Sequence, residues 1–511
     1  MADWTSGYVA DLGYTHGYYK ELNPNRMALA FLNAGFSPPS TGLHCELGFG
    51  QGLSVNVHAA ASGSIWYAND FNPSQAAFAQ SLASASGAEA HLTDEAFADF
   101  CNRVDLPEFD TIGLHGIWSW ISDANREVIV DFIRRKLKVG GGLYISYNTM
   151  PGWSSFAPLR HLLTEHSTTQ SNLGSGTLSR IENALNFAEK LFRTHPQFVK
   201  SNPSIVDRLE KFREQNPQYL AHEFFNKDWH PMPFSKVAEH LSAAKVDYVC
   251  SAHYMDFIDL VNLTKEQSQF LQEINDLRFK ETIRDFMLNQ QFRRDYWIKG
   301  PLKLSHQEQS NLIRAHRVVM ISPQIDVELK ISGSAGKADL SSSIYTPILE
   351  FLSDHEIRNI DQISNAVSKF NINFEQVVQA IIILMGAGYL DSAQTEAEIE
   401  KALPLTNKLN RKILEQSISN SYIACLSSPI TGGGVAVDRI QQLFLVAMRN
   451  GNNDSKDWVD FVWKIFVSQN QRLIKEKKSL LSDEENLNEL NLLVQNFLTK
   501  SLPLFKKLKV I

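Results

Sequence analysis

One stretch constrains the fold more than any other: LHCELGFGQGLSVN at residues 43–56. A short apolar run ends in an acid, Glu46, and glycines follow at once at 48, 50 and 52. After them Leu53-Ser54-Val55-Asn56-Val57-His58-Ala59-Ala60 reads as the start of a helix. A strand, a glycine-rich turn and a helix open a nucleotide-binding unit, and the glycine spacing narrows the ligand. A dinucleotide site uses G-x-G-x-x-G, whose third glycine lets the helix pack close with its N-terminus toward a pyrophosphate. A phosphate-cradling loop uses G-x-x-x-x-G-K-[ST]. Here the form is G-x-G-x-G led by an acid, with no lysine in the loop. It suits a ligand without phosphate, whose amino-acid tail needs backbone room and whose ammonium needs a carboxylate. S-adenosylmethionine is such a ligand. Glu46, Gly48, Gly50, Gln51 and Gly52 are therefore cofactor-binding candidates, with a plain tight turn as the alternative.

The surrounding pattern supports the unit. Strand-like runs at 43–48, 65–70, 88–94, 109–120 and 141–149 alternate with helical stretches such as Ser74–Ala85 and Ser122–Lys138. Such alternation predicts a parallel, doubly wound, Rossmann-like α/β sheet that binds ligands beyond the carboxyl ends of its strands. We place this first domain at residues 1–154. A helical insertion follows at 155–232, with Ile181, Leu185, Ala188 and Phe192 on one apolar face and a loop at 167–177. Residues 233–300 return to helix and strand and complete the sheet. From 301 to 398, VVMIS and DVELKISGSAG suggest a hairpin, and three helices and a short strand follow in a winged-helix-like order. Residues 399–511 read as helical, ending in FKKLKVI, a solvated basic tail.

Charge and cysteine usage exclude several classes. The formal net charge is −7 over 511 residues, so no global basic field invites nucleic acid. The helix that would enter a DNA groove, Phe374–Met385, has no Lys or Arg. Four cysteines (Cys45, Cys101, Cys250, Cys425) stand far apart, with neither zinc-ligand spacing nor a disulfide framework, so no metal is expected. The N-terminal stretch lacks a basic region followed by an apolar core, and the longest apolar run, Ala380 to Leu390, is short of the ~20 residues of a bilayer span. We expect a cytoplasmic protein without membrane insertion.

Further candidates stand at the expected strand ends. Asp70, in NDFNPSQA, can accept both ribose hydroxyls of an adenosine, with Phe71 and Asn72 beside it. Asp94 can accept an adenine amino group or cap a helix, and Ala96 and Phe97 follow it. The fourth strand leads into His115-Gly116-Ile117-Trp118-Ser119-Trp120, where a reacting group would meet a cofactor. Its tryptophans either wall an apolar channel or belong to the core.

The run Tyr14-x-x-x-Tyr18-Tyr19-x-Glu21-Leu22-Asn23-Pro24, then ELGFGQGLSVNVHAA, DFNPSQA, HGIWSWIS and YNTMPGW, resembles class I S-adenosylmethionine-dependent methyltransferases that carry a methyltransferase regulatory domain. HEFFN (222–226) and RDFMLNQQFRRDYWIKG (284–300) resemble that regulatory domain. The group includes rickettsial lysine methyltransferases that modify outer-membrane proteins. The resemblance is strongest over residues 10–300 and looser beyond, SSPITGGGV (427–435) included. It implies S-adenosylmethionine as cofactor, makes protein lysine a candidate acceptor, and adds Tyr18 to the cofactor candidates. A lysine must lose its proton before it can accept a methyl group, and a dry aromatic channel favours that loss. Trp118, Trp120, Trp153, Tyr18 and Tyr19 are the candidates to line it, and His222, Glu223 and His115 the candidates to take the proton. A small-molecule methyltransferase and a non-catalytic interaction protein remain as alternatives, and a homodimer is admitted.

Overall fold

The computed structural model describes residues 5, 7–9, 12–170, 176–452 and 454–511. The centre of the expected loop at 167–177, and part of the N-terminal stretch read for a signal peptide, lie outside the described residues. Five strands run parallel: β1 (Leu43–Leu47), β2 (Ile65–Asn69), β3 (Ala90–Thr93), β4 (Phe109–Leu114) and β5 (Leu137–Asn148). With β6 (Val246–Ser251) and β7 (Phe292–Lys299) they form a seven-stranded sheet in the order β3-β2-β1-β4-β5-β7-β6. The all-parallel expectation needs one amendment, because β7 is antiparallel to both neighbours. The chain re-enters the sheet between β5 and β6 at the end where β6 stopped, which reverses its direction.

Local chemistry sets the helices around β1. Asn23 and Asn72 cap α1 (Pro24–Asn33) and α3 (Pro73–Ser86), each accepting from a first-turn N–H, with proline at the first helical position where its missing N–H costs nothing. Helix α2 (Leu53–Ser62) is buried on every side from Leu53 to Ala61. One side packs on the sheet. The other meets the C-terminal helix Glu396–Ser417, so Leu53, Val57 and Ala60 share a core with Ile399, Leu409 and Leu426. Among the described residues six helices lie between β5 and β6, and the first five, Ala157–Thr169 through Pro217–Phe224, form the insertion, with the expected face of Ile181, Leu185, Ala188 and Phe192 buried in its core.

The C-terminal half differs from expectation in two places. Val318, Val319 and Met320 do not pair with 326–336. They form the central strand of a separate three-stranded sheet with Arg358–Asn359 and Leu390–Ser392, while Lys330–Gly333 and Gly336–Asp339 pair with each other as a surface ribbon. The physical reason is burial: the three apolar residues are fully buried, whereas the ribbon buries only Ile331. The helices Ser342–Leu352, Ile360–Val367 and Phe374–Gly386 then follow as expected. FKKLKVI is not a solvated tail. Phe505, Leu508 and Val510 are buried, the Val510 carbonyl accepts from Asn410, and Lys507 pairs with Glu356. SSPITGGGV forms a hairpin, Cys425–Ser428 against Gly433–Ala436.

The four cysteines are free thiols, and among the described residues no helix is long and apolar enough to cross a membrane. Helix Phe374–Gly386 buries Val377 and every residue from Ala380 to Met385. The full chain is therefore expected to show no salt-dependent retention on duplex DNA, and a steep salt slope would overturn this.

Candidate functional site

The strand order reverses at β1, which has β2 on one side and β4 on the other, and ligands of such sheets bind at that switch. A cavity of ≈ 490 Å³ opens there, lined by Glu46, Gly48, Gly50, Gln51, Asp70, Phe71, Ala96, Phe97, His115, His222 and Glu223, among others. The N–H groups of Gly48 and Phe49 both donate to the Asn69 carbonyl, at 2.8 and 3.1 Å, which folds the loop over the end of β2. Gly48 and Gly52 have φ of 69° and 68° and no room for a side chain, one against Ile117 and the other against Ala79. A left-handed turn this crowded requires glycine.

Two carboxylates meet at the loop. Asp70 accepts from the N–H of Gly50 at 2.9 Å on one oxygen and from that of Asn72 at 3.0 Å on the other. Burial nevertheless pushes its carboxyl up to about 7, the two hydrogen bonds offsetting part of the shift. Glu46 is 2% exposed, and its Oε2 has no hydrogen-bond partner. Burial, with a smaller contribution from the Asp70 charge, pushes it up to about 8. An unpartnered carboxylate facing a cavity is costly in the empty protein, and a cationic group in that cavity would offset the cost. Asp70→Asn would turn an NH2 group toward one of the two backbone N–H donors. We expect it to weaken ligand binding by about tenfold or more, read by calorimetry.

An N-terminal strap, the described residues 7–9 and 12–19, edges the cavity and is held by residues more than two hundred positions away. Val9 N–H donates to Asn226 Oδ1 at 2.8 Å, and Lys227 N–H to the Gly7 carbonyl at 3.0 Å. Tyr14 Oη donates to Glu223 Oε1 at 3.0 Å, and His222 Nε2 lies 3.1 Å from the Leu12 carbonyl. Burial raises the Glu223 carboxyl to about 7, the Tyr14 bond pulling the other way. Tyr19 stacks on His115 with ring centroids 3.4 Å apart, and His115 Nδ1 lies 2.8 Å from Tyr144 Oη. Burial depresses His115 to about 4, so its imidazole is neutral near pH 7. Trp120 lines the same cavity, and its Nε1–H donates to the Glu223 carbonyl at 3.3 Å. Aromatic side chains thus surround Glu223, whose carboxyl burial raises toward neutrality.

Several expected residues lie elsewhere. Trp118 is fully buried in the core beside the sheet, edge-on to His240 at 5.8 Å, because the short helix Trp118–Trp120 turns it inward and Trp120 outward. Tyr18 turns away from the cavity, presses on Gly433 and Gly434 of the C-terminal hairpin, and leaves the wall to Tyr19. Gly52 caps α2 beneath the cavity, and Asn72 caps α3. Asp94 is exposed, is not among the residues that line this cavity, and does not cap the next helix, whose N-cap is Ala96. Trp153 packs with Phe156, Phe224 and Trp229 in the core of the inserted helices. Tyr8, Tyr14 and Asn226 line the cavity and were not anticipated there. The Tyr14–Tyr19 run was visible, but nothing in its spacing says that it folds over the sheet.

Comparison with known proteins adds four findings. A family model described as a predicted methyltransferase regulatory domain matches residues 216–299. A Synechocystis protein is 38% identical over 512 aligned residues, which cover 99% of each chain. A Rickettsia prowazekii protein is 24% identical over 43% of this chain and 40% of its own. Among solved structures, PKMT2 of Rickettsia typhi in complex with AdoHcy superposes with a TM-score of 0.68 at 17% identity, over 97% of this chain and 99% of that one. At that identity the likeness is one of fold, and it spans both the sheet and the C-terminal half.

Proposed function

We propose a reaction from one premise: the chain belongs to one family with its full-length Synechocystis relative, and it carries a methyltransferase regulatory domain on a sheet of the class I methyltransferase fold. The reaction is transfer of a methyl group from S-adenosylmethionine to a protein side chain, with lysine favoured, in the cytoplasm. The observation that carries it is Glu46, a buried carboxylate with an unpartnered oxygen at the head of a glycine turn at the sheet's switch point. The AdoHcy in the PKMT2 structure of like fold supports the same ligand.

The residues present fit that ligand. Glu46 would receive its ammonium, Gly48 and Gly50 would give its amino-acid tail backbone room, and Asp70 has lone pairs left for ribose hydroxyls. Phe71, Ala96 and Phe97 would bound the adenine. Bound there, S-adenosylmethionine supplies a sulfonium methyl to a nucleophile aligned behind it. The protein's part is alignment, which can contribute about 7–11 kcal/mol, and management of one proton. Glu223, raised toward neutrality and held by Tyr14, is placed to take the proton of an acceptor ammonium, and Tyr19, His115 and Trp120 keep water from it. Neutral His115 cannot repel a cationic acceptor.

The strap that edges the cavity favours a second reading, in which a small molecule enters and the strap closes over it. Calorimetry should show binding of S-adenosylmethionine or its demethylated product and none of NAD. With labelled cofactor and a cell extract, label in a protein band supports the protein acceptor, and label confined to small molecules would reject it.

A further inference from the structure

A second cavity, of ≈ 710 Å³, lies across the strap, bounded by the helices Ala157–Thr169 and Thr177–Phe192. It shares Gly7, Tyr8 and Lys227 with the first. Among the described residues its charge is one-sided: Arg160, Arg180 and Lys227 line it with one carboxylate, Glu165, which already lies 3.5 Å from His161 on its own helix. Arg160 is only 7% exposed, yet its Nε and Nη2 donate to the carbonyls of Phe224 and Asn226 rather than to a carboxylate. Arg180 donates through Nη2 to Thr177 Oγ1 at 2.9 Å, and its Nε is buried without a partner. The hydroxyls offer no compensation, since Thr164, Ser167 and Thr168 donate to carbonyls of their own helix. Asp228, whose charge acts on Arg160, lines the other cavity.

Guanidinium groups that lack a carboxylate partner are strong receptors for a planar anion, because two N–H groups can donate to one carboxylate. A single water occupies about 30 Å³ of liquid, so this cavity holds far more than one ion. We infer that the second cavity binds acidic side chains of the acceptor polypeptide, beside the residue that enters the first cavity. The inference rests on the proposed protein acceptor. The strap then has a task on each face, one turned to the cofactor and one to the bound polypeptide.

The test is fluorescence anisotropy of a labelled hexaglutamate peptide with the full chain, and a hexaglutamine peptide as control. The glutamate peptide is expected to bind in low salt and to be released by high salt. Arg180→Glu should weaken it by about tenfold or more, about 1.4 kcal/mol, with the affinity for the demethylated cofactor unchanged. Arg180→Gln should weaken it less, and serves if the first variant does not fold. Equal binding of the two peptides, or unchanged binding by both variants, overturns the inference. Displacement by equimolar inorganic phosphate would also overturn it, in favour of a small-anion site. Binding is read without turnover, so an absence of labelled protein in the transfer assay would reject the protein acceptor and leave this measurement separate.

Discussion

Glu46→Gln should weaken S-adenosylmethionine binding about ten- to 150-fold at pH 8 and above, and at the same pH should stabilise the empty protein. Both effects come from one carboxylate. A charge-assisted hydrogen bond to the ligand's ammonium is worth about 1.5–3 kcal/mol, which gives the affinity range. In the empty site the same carboxylate is buried without a partner for Oε2, so its ionisation opposes folding. Its folded value near 8 lies above its ordinary value of 4.5. Between those limits the folded state holds the proton more tightly than the unfolded state, so stability is greatest at low pH and falls as pH rises toward 8.

The variant cannot ionise at this position, so its melting temperature should decline less across that range. Asp70, raised to about 7, preserves part of the decline. Cofactor affinity runs the other way with pH. Binding an ammonium requires ionised Glu46, so affinity in the natural protein should fall as pH drops below about 8, with up to one proton released per binding event. Equal proton release by the variant and the natural protein, measured by calorimetry in buffers of different ionisation enthalpy, would reject Glu46 as the ammonium partner.

The sheet was legible in the sequence because its signals are local. Alternating apolar runs, Asn-Pro helix starts at 23–24 and 72–73, and an acid before three glycines each depend on neighbours within one turn. The glycine-loop end of the cavity was legible for the same reason. At the other end Tyr19, His115, Trp120, His222 and Glu223 were named, but the strap that edges the cavity was not. Tyr14 reaches Glu223 and Val9 reaches Asn226 across more than two hundred residues, and no periodicity marks a strap that crosses a sheet without joining it. Tyr18 and Tyr19 show the limit most clearly. Adjacent in the chain, they face opposite ways because the C-terminal hairpin supplies glycines at 433 and 434 for one and His115 stacks against the other. Trp118 and Trp120 were inseparable in the sequence, since a single turn of tight helix sends one inward and the other outward.

That pair gives the remaining large effect. Trp118→Ala should lower the stability of the protein by about 3–5 kcal/mol, because it empties a fully buried site between β5 and the helix Phe234–Ser242. Arg126 would lose more than a neighbour. Its guanidinium lies over the Trp118 ring at 5.9 Å, and its Nε donates to the Trp118 carbonyl at 3.1 Å, so a cavity there would loosen a buried cation as well. Turnover per folded molecule should stay close to that of the natural protein. Trp120→Ala should do the reverse. Trp120 is only half-buried, so melting should change little, while the loss of a cavity wall and of the bond to the Glu223 carbonyl admits water beside the Glu223 carboxyl. Water favours the charged, unreactive amine, so turnover at saturating cofactor should fall by about tenfold or more. Melting temperature and turnover, measured on both variants, separate the roles. If Trp118→Ala melts normally and loses turnover, the acceptor channel runs past Trp118, and the wall assigned to Trp120 is wrong.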